Sequence, residues 1–151
     1  MEIPARNILL NINVTDRDGL LRFISKQCEI FGYTNSSKGL YDSFIQREKE
    51  YSTGLQDGFA IPHAKTNFVK SAQIFYVRLQ HPIEWKTYDD KSVTDVFVLM
   101  VNESGTGKVH LKMLSNLATA LLEDEFKKKI HELNDSEKIS EYITNEIGGN
   151  I

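Results

Sequence analysis

A short stretch that ends in a histidine contains the side chains best suited to phosphate chemistry. His63 follows Pro62, and its imidazole, when neutral near pH 7, is a competent nucleophile. Arg47 carries a planar, permanently charged guanidinium that matches the oxygens of a phosphate. Between them Thr53 offers a hydroxyl, and the turn from Gly54 to Gly58 can point backbone N–H groups at an anion. The stretch therefore fits a phosphohistidine site or, more simply, a turn followed by a histidine that packs or faces water.

The backbone around His63 is constrained by the residues before it. Glycines at 54 and 58 permit conformations that other residues resist. Pro62 fixes its own φ and pushes Ile61 into an extended geometry. The pattern predicts that His63 emerges from the end of a strand-like segment. Arg47 lies near the end of a helical pattern, where a cation is also favourable against the helix macrodipole, so that residue has a simpler explanation too.

A second histidine, His110, precedes a helical pattern. The predicted apolar side of that helix comprises Leu111, Leu114, Leu117, Ala118, Leu121 and Leu122. His110 shares this side, so it is either a buried histidine that completes the core or a functional group in the first turn. Unpaired N–H groups and the positive end of the helix dipole there favour a neutral imidazole and a nearby anion.

Two motifs give the chain a family resemblance. Thr53–His63, preceded by Arg47-Glu48, resembles the signature of the IIA components of the bacterial sugar phosphotransferase system, fructose/mannitol type (type 2 IIA domain). His110–Ala118 is similar to a second element of that family, and the resemblance covers nearly the whole chain. The chain departs from the pattern at Gln56 and Phe59, where the family commonly has a glycine and a small aliphatic residue.

The resemblance implies a phosphocarrier. His63 would accept a phosphoryl group from phospho-HPr and pass it to a cysteine of a cognate IIB component during sugar uptake. Such transfer depends mainly on positioning and charge compensation. Arg47 would neutralise the transferring oxygens and His110 would donate a hydrogen bond, with no metal or cofactor. The turn residues that would form the phosphate loop are Thr53, Gly54 and Gly58.

Two other functions remain open at this point. One is a nitrogen-type regulatory IIA paralogue, whose phosphorylation state controls other proteins. The other is a non-catalytic domain that holds an anion or small ligand beside His63. A IIB component is disfavoured, because Cys28 lies on the apolar face of a predicted helix and a reactive thiol needs an electropositive, partly exposed site.

Length and composition are those of a globular domain. The chain has 151 residues, of which 40% are hydrophobic and 26% charged, so residues 1–151 are predicted to form a single type 2 IIA domain. The net charge of −3 argues against nucleic-acid binding. No apolar run approaches the roughly 18 residues of a membrane span, so we expect a cytoplasmic protein without membrane insertion. The His and Asp spacings predict no metal site.

The apolar pattern alternates between strands and helices and predicts an α/β sandwich with helices on both faces of a sheet. The resemblance implies that the central sheet is mixed. A first helix would begin with Thr15 as N-cap and end at Gly32, and a second would begin at Ser36 or Ser37. His81 would lie at a strand end or in a loop. The predicted strands are 8–14, 72–79, a short edge strand at 83–85, and a central buried strand at 96–101.

Overall fold

The computed structural model describes residues 1–105 and 107–149. Within them the chain forms five strands and five α-helices, with a short 3-10 turn before the first strand. The strands are β1 (Ile8–Ile12), β2 (Phe59–Ala60), β3 (His63–Lys65), β4 (Gln73–Ile83) and β5 (Val93–Val101). The helices are α1 (Arg17–Ile30), α2 (Ser37–Glu50), α3 (Gly107–Leu122), α4 (Asp124–Glu132) and α5 (Ser136–Ile147).

The strands form one mixed sheet. β1 pairs parallel with β4, and β4 pairs antiparallel with β5. The other edge of β5 carries β2 and then β3, both parallel to it. His63 lies opposite Leu99, near the carboxyl end of β5, whereas Phe59 lies opposite Asp95, toward the other end. The sheet therefore places His63 where parallel strands end, as is common for sites in α/β proteins.

Both faces of the sheet are covered by helices. On one face, α1 and α2 pack against alternate residues of β5, including Val96, Val98 and Met100. On the other, α3, α4 and α5 pack against Phe97 and Leu99 of the same strand. Adjacent residues of a strand point to opposite faces, which explains why β5 is apolar from residue 96 to 101. The predicted α/β sandwich with a mixed sheet and helices on both faces is confirmed. Residues 150 and 151 of the predicted domain lie outside the described part of the chain.

The first two helices begin and end largely as predicted. The prediction of Thr15 as N-cap of α1 was wrong, because Asp16 is the cap and its carboxylate accepts from the Gly19 N–H at 2.7 Å. Gly32 follows α1 with a φ of +79°, which a residue without a Cβ adopts readily. Ser36 caps α2. Cys28 is fully buried in α1, and burial raises the pKa of its thiol to about 12, so it is the packing residue that was expected.

Several strand boundaries differ from the prediction, including the start of β5, which lies at Val93 and not at residue 96. The first strand ends at Ile12, two residues before the predicted end, and β4 continues to Ile83. His81 therefore lies inside a strand, and the separate edge strand predicted at 83–85 was wrong. The pairing of β4 with β5 is irregular between Arg78 and Ile83. Such an irregularity tolerates Pro82, which cannot donate to a ladder of hydrogen bonds.

Helix α3 is rotated relative to its predicted orientation. It begins at Gly107, and the residues it buries fully are Met113, Leu117 and Leu121. Leu111 and Leu122, which were predicted to lie on the buried side, are 67% and 73% exposed. None of the helices within residues 1–105 and 107–149 combines the length and apolar character that crossing a membrane requires.

Candidate functional site

A cleft of about 580 Å³ lies between the end of α2, strand β3 and the start of α3. Its lining includes Arg47, His63 and His110, so the fold brings together three side chains that are far apart in the sequence. Each comes from a different element: Arg47 from the last turn of α2, His63 from the first position of β3, and His110 from the first turn of α3. His63 is therefore the first residue of a short strand. The sequence had predicted that it follows the end of a strand-like segment.

Both ring nitrogens of His63 are hydrogen-bonded. Nδ1 lies 2.8 Å from the carbonyl oxygen of Ile61, and Nε2 lies 3.1 Å from Nε of Arg47. A carbonyl can only accept and a guanidinium can only donate. Nδ1 must therefore carry the proton, and Nε2 must present its lone pair. The two contacts select a neutral imidazole whose nucleophilic nitrogen is Nε2.

Arg47 is held in place by the end of its own helix. Its Nη1 donates to the Tyr51 carbonyl at 3.0 Å, and its Cζ lies 4.2 Å from the centre of the Tyr51 ring. The contact with Tyr51 is the one expected of a cation at a helix C-terminus. Arg47 also lies within hydrogen-bonding distance of a His63 ring nitrogen, so its place at the helix end does not exclude the predicted role at the site.

His110 faces His63 across the cleft. The ring centroids are 5.7 Å apart, with the planes tilted by 46°. Among the described residues, no group lies in hydrogen-bonding position to the buried Nε2 of His110. A buried polar atom without a partner is costly, and most such atoms have one. A rotation of the His110 ring that opens Nε2 to the cleft would let a ligand acceptor satisfy it.

The environment lowers the pKa of both histidines. For His63 the main cause is burial, and the positive charge of Arg47 and the proximity of His110 add to it against the opposing hydrogen bond to Ile61. For His110 burial is again the main cause, followed by the charges of Lys65 and Arg47. Both imidazoles are therefore neutral near pH 7, which is the state in which His63 can attack an electrophile.

None of the three predicted phosphate-loop residues lines the cleft. Thr53 is buried, and its N–H and hydroxyl both donate to the Glu48 carboxylate. Gly54 is closely packed, because a Cβ there would lie 2.3 Å from the Lys86 carbonyl oxygen. Gly58 has a φ of +85° and lies beside the start of β5, toward the end of the sheet away from His63. In this structure the turn determines the path of the backbone that leads to His63, and none of Thr53, Gly54 and Gly58 contributes to the wall of the cleft.

Sequence reasoning missed two groups that define the site. The carbonyl of Ile61 orients the His63 ring. A contact to a backbone carbonyl cannot be predicted from the pattern of side chains. Glu48 entered the sequence analysis only as the neighbour of Arg47 ahead of the first motif. Its place on the apolar side of α2 was the available signal, because a carboxylate on an apolar helix face needs a specific partner.

A known protein family matches nearly the whole chain. Residues 2–146 match the family "Phosphoenolpyruvate-dependent sugar phosphotransferase system, EIIA 2". The chain belongs to this family. Membership supports a general phosphocarrier role in a phosphotransferase system, consistent with a cleft built around a neutral histidine and an arginine.

Relatives of this EIIA chain include components of phosphotransferase systems and a nitrogen regulatory protein. It is 30% identical over 126 residues to the 2-O-alpha-mannosyl-D-glycerate-specific EIIABC component of Escherichia coli, covering 82% of this chain and 19% of that protein. It is 26% identical to the fructose-specific EIIA component of Haloferax volcanii, covering 93% and 90%. The crystal structure of nitrogen regulatory protein IIA-Ntr from Neisseria meningitidis superposes with a TM-score of 0.86 at 27% identity, covering 94% and 96%.

The lengths of these relatives differ. The chain spans about a fifth of the length of the first two curated relatives that it matches, and nearly all of the Haloferax protein.

Within residues 1–105 and 107–149, no three His, Cys, Asp or Glu side chains lie together in a group that could hold a metal ion.

Proposed function

We propose that this chain forms one EIIA domain over residues 1–151 and acts in the cytoplasm during sugar uptake. It accepts a phosphoryl group from phospho-HPr on His63 and passes it to a cysteine of a cognate IIB component. The observation that supports this most directly is the pair of hydrogen bonds on His63, which leaves Nε2 nucleophilic beside a guanidinium. The donor, the acceptor and the order of transfer are those implied by the family resemblance.

The first transfer makes one P–N bond and breaks another. The lone pair of His63 Nε2 attacks the phosphorus carried on the donor's histidine. The donor P–N bond breaks, and its electron pair stays on the donor's imidazole. The proton on His63 Nδ1 remains in its hydrogen bond to the Ile61 carbonyl, which helps to disperse the positive charge that the ring gains. Phosphoryl transfer of this kind needs little further covalent help from the protein.

Arg47 and His110 would bind the oxygens of the transferring group. Arg47 donates to Nε2 in the resting site, and the approaching phosphoryl group would take over that donor. His110 has a buried Nε2 without a partner among the described residues, and a phosphoryl oxygen on His63 would provide an acceptor. The second transfer reverses the first, with a cysteine thiolate attacking phosphorus and the electron pair returning to His63 Nε2.

The surface around the cleft suits a protein as the other reactant. Phe68, which lines the cleft, is 47% exposed, and Tyr51, beneath Arg47, is 68% exposed. Val109 and Leu111, on either side of His110, are 37% and 67% exposed. Exposed apolar side chains grouped around a polar centre are typical of protein–protein contact sites.

The proposal is tested by incubating the protein with phosphoenolpyruvate, Enzyme I and HPr, followed by intact-protein mass spectrometry. We expect one acid-labile phosphoryl group on the protein, and its loss when a IIB component with its cysteine is added. A IIB component whose cysteine is replaced by serine is the control. No mass gain, with HPr itself shown to be phosphorylated, would overturn the proposal.

The pH dependence of His63 provides a second test. Because its pKa is lowered by burial and by Arg47, the imidazole stays neutral below the ordinary titration point of about 6.5. Acceptance of phosphate should therefore persist as pH falls through 6.5 and decline only at lower pH. Titration of the ring followed by NMR measures this without the donor, whose own histidine also titrates. A midpoint at or above about 6.5 would contradict the stated environment.

Replacement of His110 should slow transfer without preventing it. His110→Ala removes one donor to the phosphoryl group, and a hydrogen bond to a charged group contributes about 1.5–3 kcal/mol. We expect the single-turnover rate to fall by about tenfold or more, with His63 still fully modifiable at long times. His110→Asn, which keeps a side-chain N–H, should lie between wild type and alanine. An alanine variant with the wild-type rate would remove His110 from the mechanism.

The similarity to IIA-Ntr supports a second candidate function, regulation through the phosphorylation state of the same histidine. A regulator would accept phosphate from HPr and keep it in the presence of IIB components. A transport component would lose it to the cognate IIB within the same incubation. Onward transfer therefore separates the two candidates.

A further inference from the structure

Glu48 is a buried carboxylate next to Arg47 on α2. It is 5% exposed, and none of the ion pairs among residues 1–105 and 107–149 involves it. Its two oxygens accept from one residue: Oε1 from the Thr53 hydroxyl and Oε2 from the Thr53 N–H at 3.2 Å. Removing a carboxylate from water is costly, and the two hydrogen bonds from Thr53 offset part of that cost.

The hydrogen bonds continue from Thr53 to His63. The Thr53 carbonyl accepts from the Ile61 N–H at 3.0 Å, and Gly54 bridges to Ala60 beside it. The Ile61 carbonyl in turn accepts from His63 Nδ1 at 2.8 Å. Three successive contacts, joined through the backbone of Thr53 and of Ile61, therefore connect the Glu48 carboxylate to the imidazole.

We propose that Glu48 is a positioning residue that sets the tautomer of His63. Two adjacent residues of one helix then control both nitrogens of the ring. Arg47 contacts Nε2 directly, and Glu48 fixes the acceptor of Nδ1–H through Thr53 and Ile61. The consequence is a ring held with Nε2 free for attack. The effect on transfer rests on the function proposed above, whereas the effect on the tautomer does not.

The direct test is nitrogen-15 NMR of the His63 imidazole in wild type and Glu48→Gln. Glutamine has nearly the same shape, but an NH2 group that cannot accept replaces one of the two oxygens, so only one of the two Thr53 donors keeps its acceptor. We expect wild type to show a protonated Nδ1 and an unprotonated Nε2. In Glu48→Gln we expect a mixture of tautomers. The single-turnover rate of acceptance from phospho-HPr should fall by up to about a hundredfold, as small misplacements of a reacting group can cause. The half-saturating HPr concentration should stay unchanged, because Glu48 is buried and touches no partner.

A second pair of variants keeps the test informative if Glu48→Gln folds poorly. Thr53→Val removes the hydroxyl and should shift the tautomer in the same direction, whereas Thr53→Ser should restore the wild-type spectrum. Ile143→Ala is the matched control, because Ile143 is fully buried in α5 on the other face of the sheet. It should lower the melting temperature but leave the tautomer and the rate of the folded protein unchanged.

The outcomes separate this inference from the proposed function. A wild-type tautomer in both Glu48→Gln and Thr53→Val would overturn the positioning role, even if transfer slowed. The positioning role would also be overturned if Glu48→Gln and Thr53→Val transferred phosphate no more slowly than an Ile143→Ala protein of the same stability. If wild type accepts no phosphate, the phosphocarrier proposal fails, while the NMR comparison still decides the role of Glu48.

Discussion

His63→Ala is expected to gain no phosphoryl group from phosphoenolpyruvate, Enzyme I and HPr under conditions in which wild type is fully modified. The reason is chemical, because the variant lacks the nitrogen that would form the new P–N bond and alanine offers no substitute. Intact-protein mass spectrometry at short and long times measures the effect. The substitution removes hydrogen bonds to Arg47 and Ile61 at a half-buried position, so circular dichroism should still show a folded protein.

The chain offers matched controls for this experiment. His81 is an exposed histidine in β4, and His131 lies in α4, beside Phe59. Alanine at either position should leave phosphorylation at the wild-type level. If labelling were retained in His63→Ala and lost in His110→Ala, His110 would be the residue that accepts the phosphoryl group and His63 the hydrogen-bond donor.

Arg47→Ala should slow phosphoryl transfer by about ten- to a hundredfold or more. A hydrogen bond to a charged group contributes about 1.5–3 kcal/mol, and each 1.4 kcal/mol or so of lost transition-state stabilisation is about tenfold in rate. The guanidinium also lowers the pKa of His63, so its removal should raise that pKa toward the ordinary value. Single-turnover kinetics and an NMR titration of His63 measure the two effects separately.

Arg47→Lys distinguishes charge from geometry. Lysine keeps the positive charge but lacks the planar fork that contacts both His63 and the Tyr51 carbonyl. We expect it to preserve most of the pKa shift and to recover only part of the rate. A wild-type rate in Arg47→Ala would show that the guanidinium does not bind the transferring oxygens.

The layered fold could be predicted because the apolar residues that each helix and strand buries recur at regular spacings in the sequence. Residues 96–101 of β5 are all apolar because helices cover both faces of the sheet. The 3.6-residue spacing of Leu20, Leu21, Ile24 and Cys28 in α1 follows from the one helix face that packs on the sheet. The proximity of Arg47, His63 and His110 could be anticipated only through the family resemblance. From the residues alone, a helix-end cation was the simpler explanation of Arg47, and His110 could equally be a core histidine.

Details set by contacts between elements could not be predicted. Leu111 and Met113 are both apolar, and only the packing of α3 against α5 and the sheet decides that Met113 is the buried one. The direction of the Thr53 side chain depends on the Glu48 carboxylate, which approaches from the neighbouring helix. Pro82 inside β4 depends on an irregular stretch of pairing with β5. None of these contacts has a periodic signature.

The arginine and the second histidine come from opposite layers of the sandwich. α2 packs on one face of the sheet and α3 on the other, and the two meet His63 only where the sheet ends. A nascent or damaged chain with only one layer assembled would lack either the guanidinium or the facing imidazole. Assembly of the complete cleft is therefore coupled to completion of both helical layers of the fold.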